Sequence, residues 1–163
     1  MVEVKLRDGS RVRLRPIRKD DVGGMVDLFH RFSEETIQQR FFESIEDMTE
    51  EKAQYYVNVD YKDTYALVAE LPRKKQLIGV ARYMGSDGEA EFAIVIADEW
   101  QNRGLGTIMF KHLIRIAREN GLKKLIGIVY KSNPRMIHII EKTGLHLTVS
   151  EADRDALEFE LRL

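Results

Sequence analysis

The sequence predicts one α/β (α+β) domain, residues 1–163, in which a mixed central sheet carries helices on both faces. Three observations predict it. Apolar and polar residues alternate in the first 17 positions and again from residue 65, the signature of half-buried strands. The runs "YALVAEL" (65–71), "QLIGVARYM" (76–84) and "AEFAIVIA" (90–97) are joined by connections too short for a crossover. They must therefore pair antiparallel. From residue 105 onward helical and strand patterns take turns, which lays helices on the sheet.

The elements follow in order. "VEVKLRDGSRVRLRPI" alternates on both sides of Asp8-Gly9-Ser10 and reads as a β-hairpin. Asp20 and Asp21 are candidate caps for a helix with Val22, Met25, Val26 and Phe29 on one face. "SEETIQQRFF" and "TEEKAQYYVNV" are two further short helices, with Ser33 and Thr49 as N-caps. The three-stranded meander comes next, turning at "PRKK" and "SDGE". Leu105, Ile108, Met109, His112, Leu113, Ile116 and Ala117 form one helical face, which Asn120-Gly121 ends. "KKLIGIVY" is a strand. "SNPRMIHIIEKTG" is a helix capped by Ser132 or Asn133, with Pro134 in its first turn and Gly144 as its stop. "ALEFELRL" is a last alternating strand. The expected order is ββ-ααα-βββ-α-β-α-β.

Composition narrows the function. Hydrophobic residues are 44% of the chain and charged residues 33%, as in an ordinary globular domain. Twenty-six basic residues offset 27 acidic ones, so no global field points to nucleic acid or an anionic membrane. No cysteine is present, which removes disulfides, thiolate nucleophiles and cysteine metal sites. The four histidines lack metal-ligand spacing, so no metal is expected. His112 falls on a core face and reads as a packing residue. The N-terminus has no apolar leader pattern and no segment is long and apolar enough to span a bilayer, so a cytoplasmic protein is expected.

The informative stretch is "IVIADEWQNRGLGTIMF", a strand, a loop with two glycines, and a helix start. A helix start with glycines suits a phosphate, because free N–H groups and the helix dipole converge there. A Walker loop would need Lys and Ser/Thr after its last glycine, whereas Thr107 and Ile108 follow Gly106. A dinucleotide fingerprint would need a third glycine where Met109 stands. Gln101-Asn102-Arg103-Gly104-Leu105-Gly106 instead matches Q/R-x-x-G-x-G/A, the acyl-CoA pyrophosphate signature of the GNAT N-acetyltransferases. A glycine-rich helix entry without a ligand is the plain alternative. The resemblance covers nearly the whole chain. "LRPIRKDD" resembles the superfamily's first strand and helix entry, and "NPRMIHIIEKTGL" its segment N-x-x-A-x-x-x-Y-x-K-x-G-F. "FHRFSEETIQQRFF", "AEFAIVIADEWQNRGLGTIM" and "NPRMIHIIEKTGL" are similar to the acetyltransferase domain of bacterial protein lysine acetyltransferases, here expected to stand without attached domains.

The resemblance implies acetyl-CoA as cosubstrate. The backbone from Asn102 to Thr107 would hold the pyrophosphate. Glycines at 104 and 106 would permit close approach, and Arg103 would add charge or face water. The strand before the motif would splay from its neighbour, often at a bulge, and pair with pantetheine through Ile94, Val95 and Ile96, with an oxyanion donor near Ile94. Asn133 would contact coenzyme A, or simply cap its helix. An amine with a pKa near 10.4 needs a proton acceptor at neutral pH. Glu91 matches the strand glutamate used as base in protein-acetylating members; otherwise it is a solvated glutamate paired with a nearby cation. Strand parity puts Glu89, Glu91, Ala93 and Val95 on one face, and Ala93 leaves room for a substrate. One departure is Ile140, where many members have a tyrosine acid, which puts a dedicated acid in doubt; Tyr130 lies nearby in sequence. The expected acceptor is an amine, a protein lysine first. A small-molecule amine or a non-catalytic acyl-CoA sensor are the alternatives.

Overall fold

A computed structural model describes residues 1–42 and 47–163. The chain forms β1 (Val2–Lys5), β2 (Arg11–Pro16), α1 (Val22–His30), α2 (Glu34–Phe41), α3 (Glu50–Val57), β3 (Thr64–Leu71), β4 (Gln76–Ser86), β5 (Glu89–Ile96), α4 (Leu105–Glu119), β6 (Lys124–Tyr130), α5 (Pro134–Glu141), β7 (Leu147–Glu151) and β8 (Ala156–Arg162). Short 3₁₀ turns at Lys19–Asp21 and Asp98–Trp100 complete it. The strands make one mixed sheet in the order β1-β2-β3-β4-β5-β6-β8-β7. The expected hairpin and three-stranded meander are both present and antiparallel.

Two apolar layers cover the sheet. One holds Phe92 and Ile96 of β5 against Met109, Phe110 and Leu113 of α4. The other holds Val80 and Val95 against Leu28 and Phe29 of α1 and Ala53 and Val57 of α3. Strand parity therefore sorts β5 between the two faces, as its alternation requires. Trp100 packs against both layers at the exit of β5.

The caps follow local chemistry. Ser33 accepts from the Thr36 N–H, Thr49 from the Lys52 N–H and Asn133 from the Met136 N–H. Gly121 and Gly144 end their helices at positive φ. Asp21 departs from expectation. Its carboxylate makes no side-chain cap for α1. It turns inward to Arg15, at 2.8 Å, and accepts the Arg18 N–H. Glu70 closes the same buried cluster at 3.1 Å from Arg15. The unexpected strand is β7, on the outer edge beside β8.

The feature that positions the site is the join between β5 and β6. They pair in parallel only at Glu89, Ala90 and Glu91, opposite Lys124, Leu125 and Ile126. Residues 92–96 have no strand on that side. The expected splay is present, but without a bulge, since β4 and β5 stay in register over their whole length. Gly127 helps shape the join. A Cβ there would lie 2.3 Å from the Phe92 ring, so the missing side chain lets that ring lie against β6.

Candidate active site

The parted strands open into a cleft of about 950 Å³. Of the residues expected at the site, Glu91, Ile94, Val95, Ile96, Gln101, Asn102, Arg103, Gly104, Gly106, Thr107 and Asn133 all line it. Leu105 does not. Its side chain is buried in the core, and only its backbone faces the loop. At about 3.4 Å per residue, Glu91 and Ile96 lie some 17 Å apart along β5. The glutamate thus stands at one end of an unpaired backbone edge and the glycine loop beyond the other.

The loop is a concave array of donors. Asn102 and Gly104 both take left-handed φ values, 62° and 88°, between residues of ordinary conformation. Such alternation turns successive N–H groups toward one point. The first helical bond of α4 runs from the Ile108 N–H to the Gly104 carbonyl, so the N–H groups of 105–107 have no partner inside the helix. This backbone fits a diphosphate. The two glycines serve different ends. Gly104 holds positive φ beside the Arg7 guanidinium. Gly106 lies under α5, where a Cβ would meet Ile139 Cδ1 at 2.8 Å and the end of that side chain would have to move.

The motif's polar side chains brace the loop. Gln101 donates to the Ile96 carbonyl at 3.0 Å and to Thr36 Oγ1 of α2 at 3.1 Å. Arg135 of α5 donates to its side-chain oxygen. Arg103 pairs with Asp8 of the first hairpin at 2.9 Å and lies over the Trp100 ring. Hydrogen bonds from Ser10, with a smaller part from Arg103, hold the Asp8 carboxyl below its ordinary range. Asp98 accepts the Ser33 N–H at 2.9 Å, a second tie between this loop and α2. Asn133 caps α5 and faces the cleft at once.

Glu91 is exposed and makes no ion pair among the described residues, whereas Glu89 is held by Lys124 at 3.4 Å. Around Glu91 the cleft rim is apolar and open. Met84 is 51% exposed and Tyr55 64%, with Phe42 and Ile128 completing the rim. Tyr130 does not line the cleft; its ring packs edge-on against Phe42 at 5.0 Å. Ile140 is fully buried in the core. His112 hydrogen-bonds Arg115 and is half-buried; burial, then the Arg115 charge, lowers its pKa. No cluster of three metal-ligating side chains occurs among the described residues. No helix is long and apolar enough to cross a membrane.

Sequence reasoning did not find Arg7, Arg135 or Lys142 around the loop, nor Arg40 and Arg82 in the opposite wall. Single arginines on separate elements leave no spacing pattern.

A mixed sheet parted beside a donor-lined helix start defines an acyl-CoA-dependent transferase site. The model of the acetyltransferase (GNAT) domain matches residues 11–146, and the chain belongs to that family of N-acetyltransferases, which use acetyl-CoA. It is 30% identical over 135 residues to an acetyltransferase of Pseudomonas aeruginosa, covering 80% of this chain and 73% of that protein. It is 29% identical over 146 residues to acetyltransferase Pat of Mycolicibacterium smegmatis, covering 88% of this chain but 44% of that protein. Among solved structures, the GNAT domain of S. lividans PAT superposes with a TM-score of 0.90 at 26% identity, covering 99% and 96% of the two chains. The spermidine N-acetyltransferase of Vibrio cholerae, in complex with CoA and spermine, shares the fold with a TM-score of 0.73 at 20% identity. That match covers 93% of this chain and 95% of the other.

Proposed function

We propose that the chain moves the acetyl group of acetyl-CoA onto a single amine, the side chain of a protein lysine. The observation that carries this is charge. Among the residues lining the cleft Glu91 is the one carboxylate, against seven lysines and arginines. A polyamine brings several cations and would meet repulsion. A lone lysine ammonium needs one carboxylate, and the exposed rim of Phe42, Tyr55, Met84 and Ile128 suits its aliphatic stem and the protein surface around it. The likeness of three segments to bacterial protein lysine acetyltransferases agrees with that reading.

Each part of the chain has a task in this reading. The N–H groups of 102–107 hold the diphosphate. The free edge of residues 92–96 pairs with the pantetheine amides, and an N–H near Ile94 meets the thioester carbonyl oxygen. Asn133 contacts the coenzyme from the start of α5. Glu91 takes the proton from the ammonium, which frees the nitrogen lone pair to attack. A thiol of pKa near 8.5 leaves without a dedicated acid, in keeping with the burial of Ile140.

The test offers the purified chain acetyl-CoA with lysine-containing proteins or with spermidine, and reads products by mass spectrometry. Acetylated lysine side chains without acetylspermidine are expected. Acetylspermidine alone would replace the protein acceptor with a small one. Coenzyme A binding without any product would make the domain a sensor.

A further inference from the structure

The wall of the cleft beneath α2 and α3 holds two guanidinium groups that the acetyl transfer described above leaves unused. Arg82 stands on β4 directly opposite Ala93 of β5, on the face that carries Glu91. Its Nη2 donates to the Tyr56 carbonyl at 3.0 Å, and the group lies 5.1 Å from the centre of the Tyr56 ring. Its Nη1 is buried without a hydrogen-bond partner. Arg40, in the last turn of α2, lies 4.6 Å from the centre of the Phe41 ring. Among the described residues, no carboxylate pairs with either arginine. Both line the cleft together with Glu91 and Ala93.

Two such cations oppose each other. Burial, followed by repulsion from Arg82, pulls the Arg40 guanidinium down to about 10. Burial lowers Arg82 as well. Other partly buried arginines are neutralised: Arg15 by Asp21 and Glu70, Arg31 by Asp27 and by Glu99 at 3.5 Å. An apolar wall would avoid the desolvation of these charges altogether. Guanidinium groups that line a cavity without a paired carboxylate match a planar anion, whose charge would relieve the repulsion.

We propose that Arg40 and Arg82 form a carboxylate-binding subsite beside the reaction centre, so that one of the two substrates carries a carboxylate near its reacting atoms. The inference rests on the cleft being the acyl-transfer site. The carboxylate has two possible sources with the same chemistry. One is the far end of a dicarboxylic acyl chain on coenzyme A, such as succinyl. The other is an acidic group next to the acceptor amine.

The experiment starts with calorimetry of coenzyme A binding to the whole chain; absence of binding removes the acyl-transfer reading itself. With binding established, kcat/KM is compared in two arms. The acyl arm sets succinyl-CoA against acetyl-CoA on one lysine peptide. The acceptor arm sets peptides with aspartate against asparagine beside the lysine, using acetyl-CoA. A charge-assisted bidentate contact should favour the carboxylate partner at least tenfold in one arm. That ratio should collapse in both Arg82→Gln and Arg40→Gln. The responding arm identifies the source. Equal rates in both arms of the wild type, or a preference that survives both substitutions, overturns the subsite. The wild-type comparison stands even if one variant fails to fold.

Discussion

Among the described residues Glu91 makes no ion pair, whereas Glu89, two residues earlier on the same face, is tied to Lys124. In the proposed mechanism that contrast assigns the proton-accepting role to Glu91. Glu91→Gln keeps the shape and removes the acceptor, so kcat for acetyl transfer should fall by about 10²-fold or more. Coenzyme A affinity, measured by calorimetry, should stay within twofold. The deficit should shrink as pH rises, because more of the amine is already neutral. Wild-type turnover across that range would return Glu91 to the solvent-facing strand surface. The strand parity that singles out Glu91 is readable in sequence because β-strand geometry fixes it. Gly106 was harder. It sits in a phosphate motif, yet a side chain there would also crowd Ile139. One residue type answers two constraints, and the sequence exposes only one of them. Arg40 and Arg82 were illegible for another reason: each alone looks like a solvated charge, and only the fold brings them together.

Elements with strong periodicity were legible, and those defined by partners were not. The face of α4 is fixed by its own spacing. β7, "LTVSE", is five residues on an outer edge with four of them exposed, so it has almost no apolar alternation to read. The entry to α1 misled in the same way. Asp21 looks like a cap by type and position, but the fold draws its carboxylate into the buried cluster that joins β2, β3 and the first 3₁₀ turn. This cluster has a pH signature. Burial pushes the Asp21 carboxyl up, but hydrogen bonds from Arg15 and the Arg18 backbone outweigh it, and its pKa lies below the usual value of 3.8. A depressed carboxyl contributes stability above its unfolded pKa. That contribution is lost as pH falls from about 4 through the folded value. Arg15→Gln takes from buried Asp21 its paired guanidinium and leaves Glu70 only Arg13, at 3.7 Å, so it should cost about 3 kcal/mol at pH 7. Protonation of Asp21 relieves its lost pairing, so the gap between variant and wild type should narrow toward pH 3. Urea denaturation at stepped pH measures both. A gap independent of pH would assign the loss to packing alone.

At the scale of the molecule, the sheet is two blades with a weak seam. Order within the meander follows from short connections, but the placing of β8 between β6 and β7 depends on a long-range pairing that no local pattern encodes. The seam joins β5 to β6 through three residue pairs, and α4, packed on β5, meets α5 on one face. Backbone groups of 92–95 therefore lack a strand partner on the β6 side, while the Ile96 carbonyl is taken by Gln101. A ligand that fills the gap should act as a missing strand, with its phosphates on the α4 entry and its amides on β5. Saturation at 100 times Kd stabilises by about 2.7 kcal/mol. For a chain of this size that raises Tm by about 5–10 °C. The stabilisation should be local as well as global. In hydrogen exchange, amides of 92–96 and 102–107 should slow on addition of coenzyme A, while β7, on the outer edge beside β8 and away from the cleft, should change little. Gly104→Asp places bulk and negative charge where the proposed site would hold the diphosphate and forces a side chain into positive φ, so both responses should vanish in that variant. Uniform slowing across the sheet, or protection that persists in Gly104→Asp, would mean the ligand binds elsewhere and the seam is not where it enters.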